Sequence, residues 1–285
     1  MITHGKGEQW GQGMTVEMIK PSQRSSRTEE GTPDPVLICL LGGFRLMKAG
    51  VSLPVRRGGK TEGLLSALAL REGYRADRDT LIELLWPGTD VSRAVHSLNS
   101  LVHALRQLVA DALDGSSPVL YVGGGYELNR LAGVSVDIAR FDERVDLSDR
   151  LMREGDIVGA VRSYEDAAAL YDGDVVGGGD LHTLVERERL RARYLSLLAR
   201  LADCYFTSGD YTAALRRALR LLSQDGCRED AHRLVMRCYT RMGERAQALR
   251  QYQICRRILA EEYNALPEPT TEALFHRLLN DPASV

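Results

Sequence analysis

From Val36 onward the chain is patterned. Val36-Leu37-Ile38-Cys39-Leu40-Leu41 is a continuous apolar run broken by Gly42-Gly43. Phe44-Arg45-Leu46-Met47 and Val51-Ser52-Leu53-Pro54-Val55 then alternate, with Ala49-Gly50 turning between them. Alternation at a period of two, bounded by glycine, predicts a small antiparallel sheet. Three helical patterns follow. Thr61 starts the first, with Leu64, Leu65, Leu68 and Ala69 on one face. Asp77 or Asp79 caps the second, which carries Leu81, Ile82, Leu84 and Leu85 and stops at Pro87. Ser92 caps the third, whose Val95, Leu98, Leu101, Val102, Leu105, Leu108 and Val109 recur at helical spacing and are expected to face the core. Val119-Leu120-Tyr121-Val122 and Tyr126-Glu127-Leu128 flank Gly123-Gly124-Gly125, a hairpin signal.

A small sheet, three helices and a closing hairpin within about a hundred residues is the winged helix-turn-helix order. After Asp137 the pattern is helical throughout and repeats. Tyr205 and Tyr239, Gly209 and Gly243, and Ala214 and Ala248 are each 34 residues apart. Thirty-four is the tetratricopeptide period, with an aromatic on the first helix, a glycine at the turn and an alanine where the second helix packs closely. Gly155, Ala160 and Tyr164 form an upstream unit. Its glycine and alanine lie 54 residues before Gly209 and Ala214, one period plus an insertion of 20. The insertion holds the Gly177-Gly178-Gly179 loop and the start of a long helix from Leu181. The expected fold is mainly α: an α+β winged helix-turn-helix domain over 36–134, then an all-α tetratricopeptide-like domain over 135–285. Residues 1–35, rich in Gly, Ser, Thr, Gln and Glu without apolar period, read as a disordered leader.

Charge narrows the function classes. The net charge of −2 excludes a chain basic throughout, so a nucleic-acid surface must be local. Residues 36–134 carry 11 basic and 9 acidic side chains and are the only net-positive block. No apolar run reaches the ~18 residues of a membrane helix. Five cysteines without a CxxC pair disfavour a disulfide framework and a structural zinc, and fit a cytoplasmic protein.

These residues resemble a known family, the Streptomyces antibiotic regulatory proteins, which join an OmpR-like winged helix to a bacterial transcriptional activator domain of tetratricopeptide-like repeats. The resemblance covers roughly 36–280. It rests on Leu41-Gly42-Gly43-Phe44, Leu84-Leu85-Trp86-Pro87, Leu98 with Leu105-Arg106, and Gly125-Tyr126-Glu127-Leu128. Further along it rests on Val136-Asp137 with Phe141, Glu186-Arg187-Glu188-Arg189-Leu190, Gly209-Asp210-Tyr211 and Ala248-Leu249 with Tyr252. The resemblance implies a transcription activator that binds repeated sites on double-stranded DNA beside a promoter, as a homodimer, and recruits RNA polymerase. It suggests control of a biosynthetic gene cluster.

In a winged helix the third helix enters the major groove, where base edges are distinguishable. The face opposite its apolar stripe holds Arg93, His96, Ser97, Asn99, Ser100, His103 and Arg106. Arg93 suits guanine O6 and N7, and Asn99 suits adenine N6 and N7. Ser97, Ser100 and His103 reach phosphates or bases, and Arg57, Lys60 and Arg106 are phosphate candidates. In the wing, Gly124, Gly125 or Tyr126 is expected near the minor groove or backbone, the alternative being that the glycines only make the turn and Tyr126 is core. By position, the loop Pro87–Val91 with Asp90 corresponds to the polymerase-contacting loop of similar proteins. Trp86 is expected to anchor the core, and Arg106 has an alternative role at the helix end.

Enzyme signals are weak. Gly58-Gly59-Lys60-Thr61 lacks the first glycine of a phosphate loop, a place taken by Pro54. His232 and Cys238 have no further ligands at metal spacing. There is no HExxH or GxSxG. No cofactor or metal is expected. The low basic content of 36–134 keeps a second class open: a tetratricopeptide adaptor whose winged helix binds DNA weakly or not at all.

Overall fold

A computed structural model describes residues 34–176 and 180–281. The stretch 1–33 and the Gly177-Gly178-Gly179 loop lie outside the described residues. The first sheet has the order β3-β2-β1-β7. Its members are β1 (Val36–Cys39), β2 (Arg45–Lys48), β3 (Val51–Ser52) and β7 (Val134–Val136). β1 and β2 pair antiparallel with Val36 opposite Lys48, as the alternation predicted. The fourth strand was not foreseen. β7 pairs parallel to β1, Val36 opposite Val134, and a parallel neighbour needs a long crossover that no local pattern announces.

Within that crossover lie α1 (Lys60–Ala69), β4 (Arg75–Asp77), α2 (Arg78–Leu85), α3 (Val91–Val109), β5 (Val119–Val122) and β6 (Gly125–Leu128). The second sheet runs β4-β6-β5. The hairpin turn is two residues, Gly123 and Gly124, at φ +53° and +83°. Two successive positive φ values match the right-handed twist of the flanking strands, and glycine adopts them without strain. Asp77 occupies the N-cap position of α2. For α3 the expectation needs correction. The cap is Asp90, whose side chain accepts the Arg93 N–H at 3.1 Å, while Ser92 is already helical. Leu108 also departs from expectation and lies at the surface, whereas Ala94, Leu98, Leu105 and Val109 are buried. The burial stripe is therefore narrower than the apolar one.

The C-terminal part stacks helices in antiparallel pairs: α4 (Asp137–Glu154) with α5 (Ile157–Leu170), α6 (Leu181–Thr207) with α7 (Tyr211–Gln224), and α8 (Glu229–Arg241) with α9 (Arg245–Tyr263); α10 (Pro269–Asn280) covers the end. The 34-residue period has a direct structural correlate. Gly155, Gly209 and Gly243 sit at the three turns with φ +85°, +84° and +80°. Ala160, Ala214 and Ala248 are each fully buried where the second helix of a pair approaches its neighbour. Asp156 and Asp210 cap α5 and α7 through the amides of Gly159 and Ala213. The tyrosines pack between helices: Tyr171 stacks on Tyr194 with centroids 4.1 Å apart, and Tyr252 on Phe275 at 3.8 Å. His232 is buried, its Nε2 bonded to the Gly226 carbonyl at 2.9 Å and its Nδ1 to the Gln251 amide at 2.6 Å.

The two parts are sewn together. Asp137, the first residue of α4, accepts the Leu40 and Leu41 amides from the end of β1. Burial pushes its carboxyl up from the usual range, and the Leu41 and Leu40 amides pull it back. Beside this contact Gly42, at φ +84°, leaves no room for a side chain: a Cβ would fall 2.7 Å from Asp172 Cβ. Arg71 pairs with Asp180 at 3.1 Å, and His182 Nε2 meets the Leu70 carbonyl at 3.0 Å. Asp34 and Pro35, the last two residues of the stretch read as a leader, belong to this folded body; Asp34 pairs with Arg140 and bonds Ser135.

Candidate nucleic-acid interface

α3 presents one continuous polar face because its buried positions lie on the other side. Arg93, His96, Asn99, Ser100, His103 and Arg106 are exposed, and Ser97 is half-buried. Their bonds divide them. Ser97 and Ser100 turn their hydroxyls back to the Arg93 and His96 carbonyls at 3.0 and 2.9 Å, which occupies their donors within the helix. Arg106 is held at the helix end: its Nε and Nη2 donate to the Gly115 carbonyl at 3.1 and 2.9 Å. Asn99 receives the Tyr126 hydroxyl on Oδ1 at 2.9 Å. The Arg93, His96 and His103 side chains make no hydrogen bond or ion pair among the described residues and stand in solvent.

Of the phosphate candidates ahead of α1, Arg57 is exposed. Lys60 is committed elsewhere. Its Nζ donates to the Leu85 carbonyl at the end of α2 and lies 5.6 Å from the Trp86 ring centroid. It thereby satisfies one of the C-terminal carbonyls of α2, where a cation is favoured by the macrodipole. Trp86 itself is half-buried beneath that ammonium. Gly124 is exposed at the wing tip, and its carbonyl accepts the Arg78 amide at 3.3 Å. Asp90 lies at the surface in the loop between α2 and α3, engaged as the α3 cap.

One cation escaped the sequence reading. The wing hairpin contains no Arg or Lys, but Arg75 of the adjacent β4 reaches across β6. Its Nη2 donates to the Val122 and Gly123 carbonyls, both at 3.0 Å. The wing tip therefore acquires a guanidinium from a strand fifty residues upstream. Only the pairing of Arg75 with Glu127 and Asp77 with Gly125 places it there. Gly125 permits the approach, since a Cβ there would meet the Ala76 carbonyl at 2.8 Å and the Arg75 Nε at 3.2 Å.

Among the described residues no group of three or more His, Cys, Asp or Glu is placed to hold a metal ion. No described helix is long and apolar enough to cross a membrane.

A winged helix-turn-helix joined to stacked tetratricopeptide-like pairs defines a class, the Streptomyces antibiotic regulatory type of transcriptional regulator. The chain belongs to the bacterial transcriptional activator domain family, whose model matches residues 136–279. It is similar to the regulatory protein AfsR of Streptomyces coelicolor, 30% identical over 249 residues that cover 83% of this chain and 25% of AfsR. It therefore spans about a quarter of the length of that relative. The transcriptional regulatory protein MoaR1 of Mycobacterium tuberculosis is 24% identical over 264 residues, 92% of this chain and 85% of MoaR1. Among solved structures, Mycobacterium tuberculosis EmbR in complex with a low affinity phosphopeptide shares the fold. Its TM-score is 0.71 at 22% identity, covering 86% of this chain and 65% of EmbR.

Proposed function

We propose that the chain is a cytoplasmic, sequence-specific DNA-binding transcription activator, with residues 36–134 as its DNA-binding domain and 135–285 as its activator domain. In this reading a homodimer binds promoter-proximal repeats on double-stranded DNA and recruits RNA polymerase through the surface around Asp90, within the control of a biosynthetic gene cluster. The observation that carries it is the exposed face of α3, with Arg93, Asn99 and His103 on successive turns and the Arg75 guanidinium at the wing beside it. Arg93 and Asn99 read base edges in the major groove; Arg57, His96 and His103 meet phosphates, and Arg75 holds the wing tip. Lys60 and Arg106 contribute through the structure that they close.

Genomic DNA fragments captured by the purified chain and sequenced test this reading, with an Arg93→Ala, Asn99→Ala variant alongside. A repeated motif beside promoters, lost in the variant, is the expected result. A folded wild-type protein that enriches no motif would remove the DNA reading and leave the adaptor, whose partner would then be sought on the repeats.

A further inference from the structure

Asn99 stands exposed on α3, but its side chain is not free to rotate. The hydroxyl that holds it belongs to Tyr126, in the middle strand of the wing sheet. Tyr126 is opposite Ala76 of β4 on one side and Tyr121 of β5 on the other. Tyr126 as a residue is 4% exposed, and its ring lies against the Tyr121 ring, with centroids 5.0 Å apart. Among the described residues the Tyr126 hydroxyl has one acceptor, and it donates to Asn99 Oδ1 at 2.9 Å.

An asparagine amide turned by half a revolution exchanges its donor for its acceptor, and in water nothing favours either sense. The Tyr126 hydroxyl breaks that degeneracy: were the amide turned, Nδ2 would donate to the hydroxyl and the phenolic proton would be left without an acceptor among the described residues. Oδ1 is directed to the wing and keeps one lone pair, while Nδ2 keeps both of its N–H groups. Adenine offers an acceptor at N7 and a donor at N6, which match one N–H and one lone pair. Guanine offers acceptors at both N7 and O6, so an amide whose oxygen cannot turn away meets it with one mismatch.

We propose that Tyr126 is a positioning residue for DNA specificity, holding Asn99 in the sense that selects adenine over guanine. The inference rests on the DNA-binding reading above. It makes the wing sheet a determinant of what the recognition helix reads, apart from any contact of its own with DNA.

The test is selection of bound duplexes from a random library by the full chain and by Asn99→Ala, Tyr126→Phe and the double variant. Melting curves first show that each variant is folded. The wild type is expected to prefer adenine over guanine by about tenfold at the one base pair that Asn99→Ala makes degenerate. Tyr126→Phe is expected to bring that ratio below about threefold, leave the other positions of the motif unchanged, and add nothing to Asn99→Ala in the double variant. A Tyr126→Phe protein that keeps the full ratio overturns the inference. So does one that weakens every position equally, because a purely structural role lowers affinity without changing preference. An Asn99→Ala protein with the wild-type motif removes the reading residue and the inference together, while the DNA-binding function stands. Wild-type protein that selects no motif removes that function as well.

Discussion

The carboxylate of Asp137 receives the main-chain N–H of Leu40 on both oxygens, at 3.0 and 2.9 Å, across 97 residues of chain. The Leu41 amide joins it at 3.0 Å. All three residues are buried, so water cannot replace the carboxylate.

Asp137→Ala leaves two buried amides without an acceptor. Each costs about 1–3 kcal/mol, so a loss of roughly 2–4 kcal/mol is expected in urea denaturation, net of the carboxylate burial relieved. Asp137→Asn keeps one acceptor oxygen and should lose less. Equal losses in the two variants would mean that side-chain packing, not the amides, carries the contact.

The glycines separate backbone strain from collision. Gly209→Ala places a side chain at φ +84° in open space and should cost roughly 1–2 kcal/mol. Gly42→Ala has the same φ but drives its Cβ to 2.7 Å from Asp172 Cβ and 2.9 Å from the Asp172 carbonyl carbon. It should cost roughly 2–5 kcal/mol. Matching thermal shifts for the two would contradict the close seam between β1 and the turn after α5.

Burial holds the His232 imidazole below its ordinary value of 6.5, with Glu229 and Asp230 and the Gly226 carbonyl opposing. The unfolded chain therefore takes up a proton that the folded chain refuses. Stability is unaffected above about pH 6.5 and falls as the pH drops below it, by up to about 1.4 kcal/mol per pH unit. Urea midpoints at pH 7.5 and 5.5 should differ more for the wild type than for His232→Gln. No change in that difference would place the acid sensitivity elsewhere.

Salt separates the cations. Each phosphate neutralised contributes about −0.9 to the slope of log affinity against log salt. Arg57→Ala, which removes an exposed guanidinium, should flatten that slope by about one contact. Arg106→Ala should leave it unchanged and lower the melting temperature instead, because its guanidinium is spent on the Gly115 carbonyl. The reverse pattern would exchange the two roles.

Legibility in the sequence followed the range of the interaction. The helical pairs were readable because glycine turns and alanine contacts recur at one period, and each rests on local geometry. Gly209 and Gly243 need only their own φ. β4 was not readable: Arg75-Ala76-Asp77 is three residues long and its strand character comes from Tyr126 and Glu127, fifty residues away. β7 was missed for the same reason. At the interface the polar face of α3 was legible from periodicity, but the diversion of Lys60 to α2 and of Arg106 to the Gly115 loop was not. Both bonds go to main-chain carbonyls, which every residue carries and no pattern marks.

The parallel pairing of β1 with β7 bears on the order in which the chain acquires structure during synthesis. β1 is made early, yet its second neighbour and the carboxylate that binds its last amides are made about a hundred residues later. Until Val134–Asp137 has left the ribosome, β1 has one open edge and two unpaired amides. Contacts of such separation form late and slowly. Release of a finished winged helix is thus timed to the arrival of the first helix of the domain that follows it. A chain truncated before Val134 would carry every residue of the recognition helix and still present an unclosed strand edge to its neighbours.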